Sequence, residues 1–475
     1  MSHTVEKIGG TSMSRINELC DSLIIRGREG DALYGRIFVV SAFSGITNLL
    51  LEHKKTGQPG VFAAFANQDS DHGWFECLDR VSEAMTDAHS QVLGNSADIE
   101  RANAFVDDRL LNARNCLIDL QRLCSYGHFR LSENMAQTRE LLSGLGEAHS
   151  AFVTTLMLQR AQVNARFVDL SGWRQEGNVT LEERIRTAMD GIDPSTEMPI
   201  VTGYAQCAEG LMSQYDRGYS EVTFSQLAAL TGAREAIIHK EFQLSSADPN
   251  LPGIKSVRKL GRTNYDVADQ LSNMGMEAIH PKAAKTLRQA EVPLRVTNAF
   301  EPDDPGTLID DQAPETAAVE IVTGLELFAL ELFEQDMVGV KGYDSAILNI
   351  LTRHDVRIVS KVSNANTITH YVDTSMKVLR RVEKDLASLY PAAEISSRAI
   401  GMASVIGRDL AGLSVLTRGL QAIADAGLEV IGASQGPRNV DVQFILERQF
   451  VNPAIAALHN ALVDQKNDMP VQAAA

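Results

Sequence analysis

The sequence predicts an α/β protein, with a three-layer αβα sheet domain followed by two ferredoxin-like units of βαββαβ order. Two observations lead to this prediction. Over the first two thirds of the chain, short apolar runs alternate with helical patterns, as in a mainly parallel sheet whose strands are joined by helices. Beyond residue 325, two weakly similar segments each follow the order strand, helix, strand, strand, with room for a further helix and strand.

The first strand leads into residues 5–12 (VEKIGGTS), which have the composition of a phosphate-binding turn. Gly9 and Gly10 allow backbone N–H groups to approach an anion, and Lys7 supplies a mobile positive charge. Neither a Walker A loop nor a GxGxxG fingerprint is present. Taken alone, the segment is better explained as an ordinary strand-to-helix turn with an exposed lysine.

The following elements continue the alternation. Residues 15–26 have helical spacing, and the segment after the strand at 36–40 is small and hydroxyl-rich, as ligand loops at the carboxyl ends of strands are. The long, polar, helical pattern of residues 50–145 predicts a helical insertion. We expect it to end in a glycine turn at 141–150 that presents Glu147 in the first turn of the next helix, either as a capping charge or as a partner for an ammonium group.

A second polar cluster occupies residues 215–223 (YDRGYSEVT), before a predicted helix at 224–231. Ser220 is a candidate cap for that helix, but a cap does not explain Arg217 and Glu221 beside it. Further strands are predicted at residues 166–170, 198–204, 236–238, 294–296 and, in the second ferredoxin-like unit, 428–431.

Composition excludes several classes of protein. A net charge of −17 argues against nucleic-acid binding, and no apolar run approaches the 18 residues of a membrane span. The five cysteines lack a CxxC pair, so neither a disulfide framework nor a zinc site is predicted. With no secretory leader in view, we expect a cytoplasmic protein without nucleic-acid or membrane partners.

Seven segments in order resemble the aspartate kinase (aspartokinase) family. They are residues 7–12 (KIGGTS), 40–42 (VSA), 146–147 (GE), 217–221 (RGYSE), 246–249 (SADP), 280–281 (HP) and 305–307 (PGT). The resemblance covers nearly the whole chain, and the two ferredoxin-like units resemble the paired ACT domains of that family. It implies an amino-acid-kinase catalytic domain at 1–312 with its insertion at about 50–145, and ACT domains at 325–396 and 399–475.

The resemblance implies a reaction. The γ-phosphoryl group of ATP would pass to the side-chain carboxylate of L-aspartate, giving 4-phospho-L-aspartate, the first step of aspartate-family amino-acid biosynthesis. Mg²⁺ would be held mainly through the phosphates, with no protein metal site. ACT domains imply allosteric feedback by an amino acid, threonine or lysine, and a homodimer or higher homo-oligomer.

The resemblance also implies roles for individual residues. Lys7 and Glu221 would be catalytic, and aspartate would be bound by Thr47, Glu147, Arg217 and Ser220. The nucleotide-binding residues would be Lys7, Gly9, Gly10, Ser12, Ser41, Lys240 and Ser245. Ser363, Asn364 and Asn366 lie where effector contacts are expected, although a polar hairpin explains them equally well.

The chain departs from the family pattern on the nucleotide side. His239 and Lys240 stand where a threonine–aspartate pair is usual, and Glu277 replaces a lysine, so Lys240 is a candidate replacement for that charge. These departures resemble the ectoine-associated branch of the family. Two other functions stay open: another amino-acid kinase, such as a glutamate 5-kinase, and a non-catalytic amino-acid-binding regulator.

Overall fold

The computed structural model describes residues 2–67, 71–175, 177–215, 218–276, 278–314 and 316–463. The chain divides into two compact units, Met1–Gln243 with Ile279–Asp310 and Leu244–Ala278 with Asp311–Ala475. The strands are β1 Thr4–Ile8, β2 Arg36–Val40, β3 Ala165–Val168, β4 Met198–Thr202, β5 Glu235–Lys240, β6 Arg262–Asn264, β7 Leu294–Asn298, β8 Thr307–Asp310, β9 Ile321–Phe333, β10 Arg357–Ser363, β11 Thr367–Asp373, β12 Glu394–Ile406, β13 Gly432–Gln435 and β14 Asp441–Glu447.

Helices connect these strands. The α-helices are α1 Gly10–Met13, α2 Ile16–Leu19, α3 Ile46–Leu50, α4 Val61–Asn67, α5 Asp71–Val92, α6 Ser96–Ser125, α7 Met135–Arg160, α8 Leu181–Met189, α9 Leu211–Tyr215, α10 Tyr219–Thr231, α11 Tyr265–Asn273, α12 Pro281–Gln289, α13 Tyr343–Arg353, α14 Met376–Leu389, α15 Val415–Asp425 and α16 Val451–Leu462. No helix in the described ranges is long and apolar enough to cross a membrane.

The sheet of the first unit has β1 at its centre. Its strands lie in the order β3-β4-β2-β1-β5-β7-β8 and run parallel except for β8, which pairs antiparallel with β7. Every residue of β1, β2 and β4 is buried, because helices cover both faces of a parallel sheet. The predicted alternation of strands and helices is therefore confirmed.

The predicted glycine turn at 141–150 is wrong, because α7 runs unbroken through it. Gly144 and Gly146 lie within this helix, and their lack of a side chain allows neighbouring residues to pack closely against it. A Cβ atom on Gly146 would lie 3.0 Å from the Ala42 Cβ, and one on Gly144 would lie 3.0 Å from the Tyr204 ring. Glu147 consequently projects from the middle of a buried helix.

The second unit contains a six-stranded antiparallel sheet of order β10-β11-β9-β12-β14-β13. The long strands β9 and β12 pair along their whole length, from Ile321 opposite Ile406 to Phe333 opposite Glu394. Both ferredoxin-like units share these two strands, so the sheet is continuous. Up to residue 463, no strand follows α16, and the first half of β9 occupies the position of the strand that the second unit would need there.

The strand predicted at 428–431 is also wrong in position, since β13 begins at Gly432. Leu428 and Val430 instead pack partly buried against the apolar core of this unit. Residues 428–431 are apolar because the loop before β13 covers the core. A short apolar run has the same pattern in such a loop as in a strand.

The core of the second unit yields a matched test. Leu446 on β14 is fully buried, whereas Leu389 at the end of α14 is 50% exposed. We expect Leu446→Ala to lower the free energy of unfolding by about 2–5 kcal/mol, because it removes apolar contacts and leaves a cavity. Leu389→Ala should change it by less than about 1 kcal/mol. Denaturant titration measures both, and equal effects would contradict this description of the core.

Candidate functional site

Two adjacent charged residues on the central strand are buried on opposite faces of the sheet. Glu6 and Lys7 are 3% and 8% exposed, and side chains alternate between faces along a strand. Each charge therefore needs its own partner, because an unpaired buried charge is strongly destabilising.

Lys7 pairs with Glu221. The Lys7 Nζ lies 3.3 Å from the Glu221 Oε1, and the other Glu221 oxygen accepts a hydrogen bond from the backbone N–H of His280. Burial alone would raise the pKa of Glu221, but the charges of Lys7 and Lys240 and the His280 N–H outweigh it and hold the pKa below its ordinary value. Glu221 is thus ionised and keeps the Lys7 ammonium in position.

The glycines after β1 bring two loops together. Gly9 precedes α1 in extended conformation, and a Cβ atom on Gly10 would lie 3.1 Å from the Ala42 carbonyl oxygen and 3.9 Å from the Ser41 Cβ. Ser41 follows β2, so the carboxyl ends of β1 and β2 meet here, as the sequence predicts. Ser12 is fully buried, and its hydroxyl donates to Glu241 Oε1 at 2.8 Å.

Glu147 is a buried carboxyl group with one oxygen in use. Its Oε1 accepts a hydrogen bond of 2.7 Å from the Ser220 hydroxyl, whereas its Oε2 has no hydrogen-bond partner among the described residues. Burial raises the pKa of Glu147 to about 8, and the Ser220 hydroxyl, the Lys7 charge and the backbone amides of Tyr204 and Ala42 counteract burial only in part. An oxygen of this kind has the chemistry to accept a hydrogen bond from an ammonium group.

Gly203, directly after β4, was not identified from the sequence as part of the site. A Cβ atom there would lie 2.8 Å from the Glu147 Oε2 and 2.9 Å from the Ser220 Cβ, so a side chain would displace the carboxyl group. The signal available in the sequence is its position directly after an apolar strand. Thr47, in α3, is half-buried.

The polar cluster at 215–223 differs from its prediction. α10 begins at Tyr219, well before residue 224, with Gly218 as its N-cap, so Ser220 and Glu221 belong to its first turn. Ser220 does not cap the helix, because its hydroxyl binds Glu147. A Cβ atom on Gly218 would collide with the His280 imidazole, so the glycine permits α10 to approach the start of α12.

Several predicted residues lie elsewhere or outside the described part. Arg217 and Glu277 are outside the described residues. His239 does not share the face of Lys240: its ring nitrogens lie 2.7 Å from the Thr297 hydroxyl and 2.8 Å from the Glu6 Oε2. Ser245 belongs to the second unit, where its hydroxyl donates to the Ala247 carbonyl at 2.7 Å.

The candidate effector residues form the exposed hairpin between β10 and β11. The Asn364 side-chain oxygen accepts from the N–H groups of Asn366 and Thr367 at 3.1 and 2.9 Å, so this oxygen stabilises its own turn. Ser363 and Asn364 are exposed and Asn366 is half-buried. An effector role for these residues stays a prediction.

Comparisons with known proteins identify the family. Residues 3–298 match the amino acid kinase family. Over 475 residues, covering 100% of both chains, the protein is 51% identical to the aspartate kinase Ask_Ect of Stutzerimonas stutzeri (strain A1501). It is also 22% identical to aspartokinase 1, chloroplastic, of Arabidopsis thaliana, over 97% of this chain and 80% of that protein. The chain therefore belongs to the amino acid kinase family, and within it to the aspartate kinases.

Solved structures agree with this placement. E. coli aspartokinase III in complex with lysine and aspartate (T-state) superposes with a TM-score of 0.73 at 16% identity, covering 97% of this chain and 100% of that one. The aspartate kinase of Clostridium acetobutylicum gives a TM-score of 0.66 at 15% identity, again over 97% and 100%. At these identities the likeness shows a shared fold.

Glu147→Gln tests the buried carboxyl group. Because the pKa of Glu147 is raised to about 8 in the folded protein, its contribution to stability is fully present below about pH 4.5 and is lost as pH rises through about 8. When pH is raised from about 5 to about 9, we therefore expect the wild type to lose stability that the variant keeps. The difference in free energy of unfolding should shift in favour of the variant by on the order of 2–4 kcal/mol.

Denaturant unfolding without substrates measures this difference at both pH values. Glu100→Gln, at an exposed position of α6, is the control and should give the same offset from the wild type at both. A Glu147→Gln offset that does not change with pH would show that the carboxyl group is already ionised at low pH.

Proposed function

We propose that the protein transfers the γ-phosphoryl group of ATP to the side-chain carboxylate of L-aspartate and releases 4-phospho-L-aspartate and ADP. One observation carries the proposal: Glu221 and Ser220, neighbours in the first turn of α10, contact Lys7 Nζ at 3.3 Å and Glu147 Oε1 at 2.7 Å respectively. A lysine suited to phosphates and a carboxyl group suited to an ammonium group are therefore close enough to serve two substrates that react with each other.

The phosphate half consists of Lys7 and the glycine turn. Among the described residues, Lys7 Nζ contacts only Glu221, so two of its three N–H donors are available for phosphate oxygens. The backbone N–H groups of Gly9 and Gly10 and the Ser41 hydroxyl supply further donors. Phosphoryl transfer requires positioning and neutralisation of oxygen charge and needs no protein nucleophile, which matches these groups.

The aspartate half consists of Glu147 and its neighbours. Glu147 Oε2, buried and without a partner in the described residues, would accept the α-ammonium group of the substrate. Binding of that cation would favour the ionised carboxyl group and lower its pKa. Arg217 would bind the α-carboxylate bidentately, and Thr47 and Ser220 would orient the remaining oxygens.

The remaining nucleotide contacts are part of the same proposal. Lys240 acts electrostatically on Glu221 and would add positive charge near the phosphates, and Ser12 would be a further contact to the nucleotide. Mg²⁺ would be held mainly through the phosphates of ATP, and it would neutralise part of their charge. The protein would act in the cytoplasm, as a homodimer or higher oligomer through its ferredoxin-like units.

We also propose feedback by an amino acid and a place in the ectoine-associated branch. E. coli aspartokinase III has been crystallised with lysine, and it shares the fold of this chain, whose second unit contains the two ferredoxin-like units. The 51% identity to Ask_Ect supports the branch, together with the departures at His239, Lys240 and Glu277. Lysine and threonine are the effectors to test first.

Hydroxylamine trapping tests the reaction, because an acyl phosphate reacts with hydroxylamine to give a coloured hydroxamate. The full chain would be incubated with ATP, Mg²⁺ and aspartate, glutamate or neither. We expect hydroxamate only in the reaction that contains aspartate, and none with glutamate or without an amino acid. Equal turnover of glutamate would favour a glutamate 5-kinase-like activity, and aspartate binding without turnover would favour a non-catalytic regulator.

Lys7→Ala provides the matching prediction. It should lower kcat by on the order of 10²-fold or more, because a preorganised donor to the transferring phosphoryl group is lost. Lys55→Ala, at an exposed position of the same unit, should leave kcat within about twofold of the wild type. Equal kcat values for the two variants would show that Lys7 does not take part in catalysis.

A further inference from the structure

A second concave site lies on the face of the first unit's sheet that carries Glu6, opposite to the face of Lys7. It is a pocket of about 580 Å³. Its lining includes five arginines and three carboxylates: Arg26, Arg28, Arg36, Arg234 and Arg295, with Glu6, Glu235 and Asp304. In a chain with a net charge of −17, this local excess of positive charge is unusual. None of these residues is used by the proposed reaction.

Three of the arginines are already neutralised. Arg36 binds both oxygens of Glu6, at 2.7 and 2.8 Å. Arg295 Nε lies 2.7 Å from Glu235 Oε1, and Arg26 pairs with Asp303. These pairs form the walls of the pocket, and their carboxylates compete with a ligand for the three guanidinium groups.

The other two arginines, Arg28 and Arg234, contact no carboxylate among the described residues. Arg28 donates through Nη1 alone to the carbonyl oxygens of Leu23, Ile24 and Ile25, at 3.0, 3.3 and 3.5 Å. Its Nε and Nη2 edge stays available, and that edge of a guanidinium matches two oxygens of a phosphate or carboxylate. Arg234 is exposed and immediately precedes β5.

Arg28 is partly buried and lies near the guanidinium groups of Arg36 and Arg26. Partial burial and the neighbouring charges of Arg36 and Arg26 lower the pKa of Arg28, and Glu6 opposes this only in part. An anion at the Nε and Nη2 edge would relieve that repulsion.

We propose that this pocket binds a small polyanion, a phosphorylated or polycarboxylate metabolite, through Arg28 and Arg234. Two unneutralised guanidinium groups in one pocket favour a ligand with at least two anionic groups over a monovalent ion. The volume lies within the range of ordinary small-molecule sites. The inference is independent of the proposed phosphotransfer.

Isothermal titration of the full chain tests the site, with inorganic pyrophosphate and citrate as separate probes at fixed ionic strength. We expect saturable binding of at least one probe with a stoichiometry near one. Arg234→Gln should weaken it by about tenfold or more, since a charge-assisted contact is lost. Arg130→Gln is the matched control: Arg130 is exposed in the same unit and has no carboxylate partner among the described residues.

Arg28→Gln should weaken binding as strongly as Arg234→Gln. Because Arg28 also holds the carbonyl groups at the end of a helical segment, its variant is interpreted only if its thermal midpoint matches the wild type. If the thermal midpoint is lowered, only the binding measured with Arg234→Gln is used to test the site. Binding of pyrophosphate alone identifies a phosphorylated ligand, and binding of citrate alone a polycarboxylate; each supports the site.

Pyrophosphate could also bind at Lys7, so both probes are repeated with Lys7→Ala. Binding that survives this substitution and is lost in Arg234→Gln assigns the polyanion to the pocket. Three results would overturn the proposal: no binding of either probe, binding that depends on Lys7 and not on Arg234, or equal weakening by Arg234→Gln and Arg130→Gln.

Discussion

The first unit depends on placing two opposite charges, side by side in sequence, on the two buried faces of its central strand. Moving either charge out of water would be destabilising by several kcal/mol without a partner. Glu6 is satisfied by Arg36 and His239 on one face, and Lys7 by Glu221 on the other. The Lys7–Glu221 pair therefore joins β1 to α10, in addition to the apolar packing between them.

This pairing also organises the site. Glu221 and Ser220 are neighbours in the first turn of α10, and they hold Lys7 and Glu147 respectively. One helical turn thus fixes the distance between the positive group proposed for phosphates and the carboxyl group proposed for an ammonium. The glycines around them, such as Gly203, permit the close approach of strand and helix.

Much of this arrangement could be predicted from the sequence, because strands and their terminal polar residues leave local patterns. The glycine turn after β1 and the hydroxyl-rich loop at Ser41 were recognisable from their places at strand ends, whereas the roles of Lys7, Gly10 and Ser41 were implied only by the resemblance to the aspartate kinases. The role of Gly146 did not, since a glycine pattern is the same for a turn and for close packing, and only the partner Ala42 distinguishes them. His239 was associated with the nucleotide by its position alone; its partner Glu6 lies 233 residues away in sequence.

The most direct test of the central claim is a double-mutant cycle on kcat with Lys7→Met, Glu221→Gln and the double variant. If Glu221 acts by holding Lys7, Glu221→Gln should lower the aspartate-dependent kcat by about tenfold or more in the wild type and by less than about twofold in the Lys7→Met background. Equal losses in both backgrounds would show that the two residues act independently, and would contradict the account.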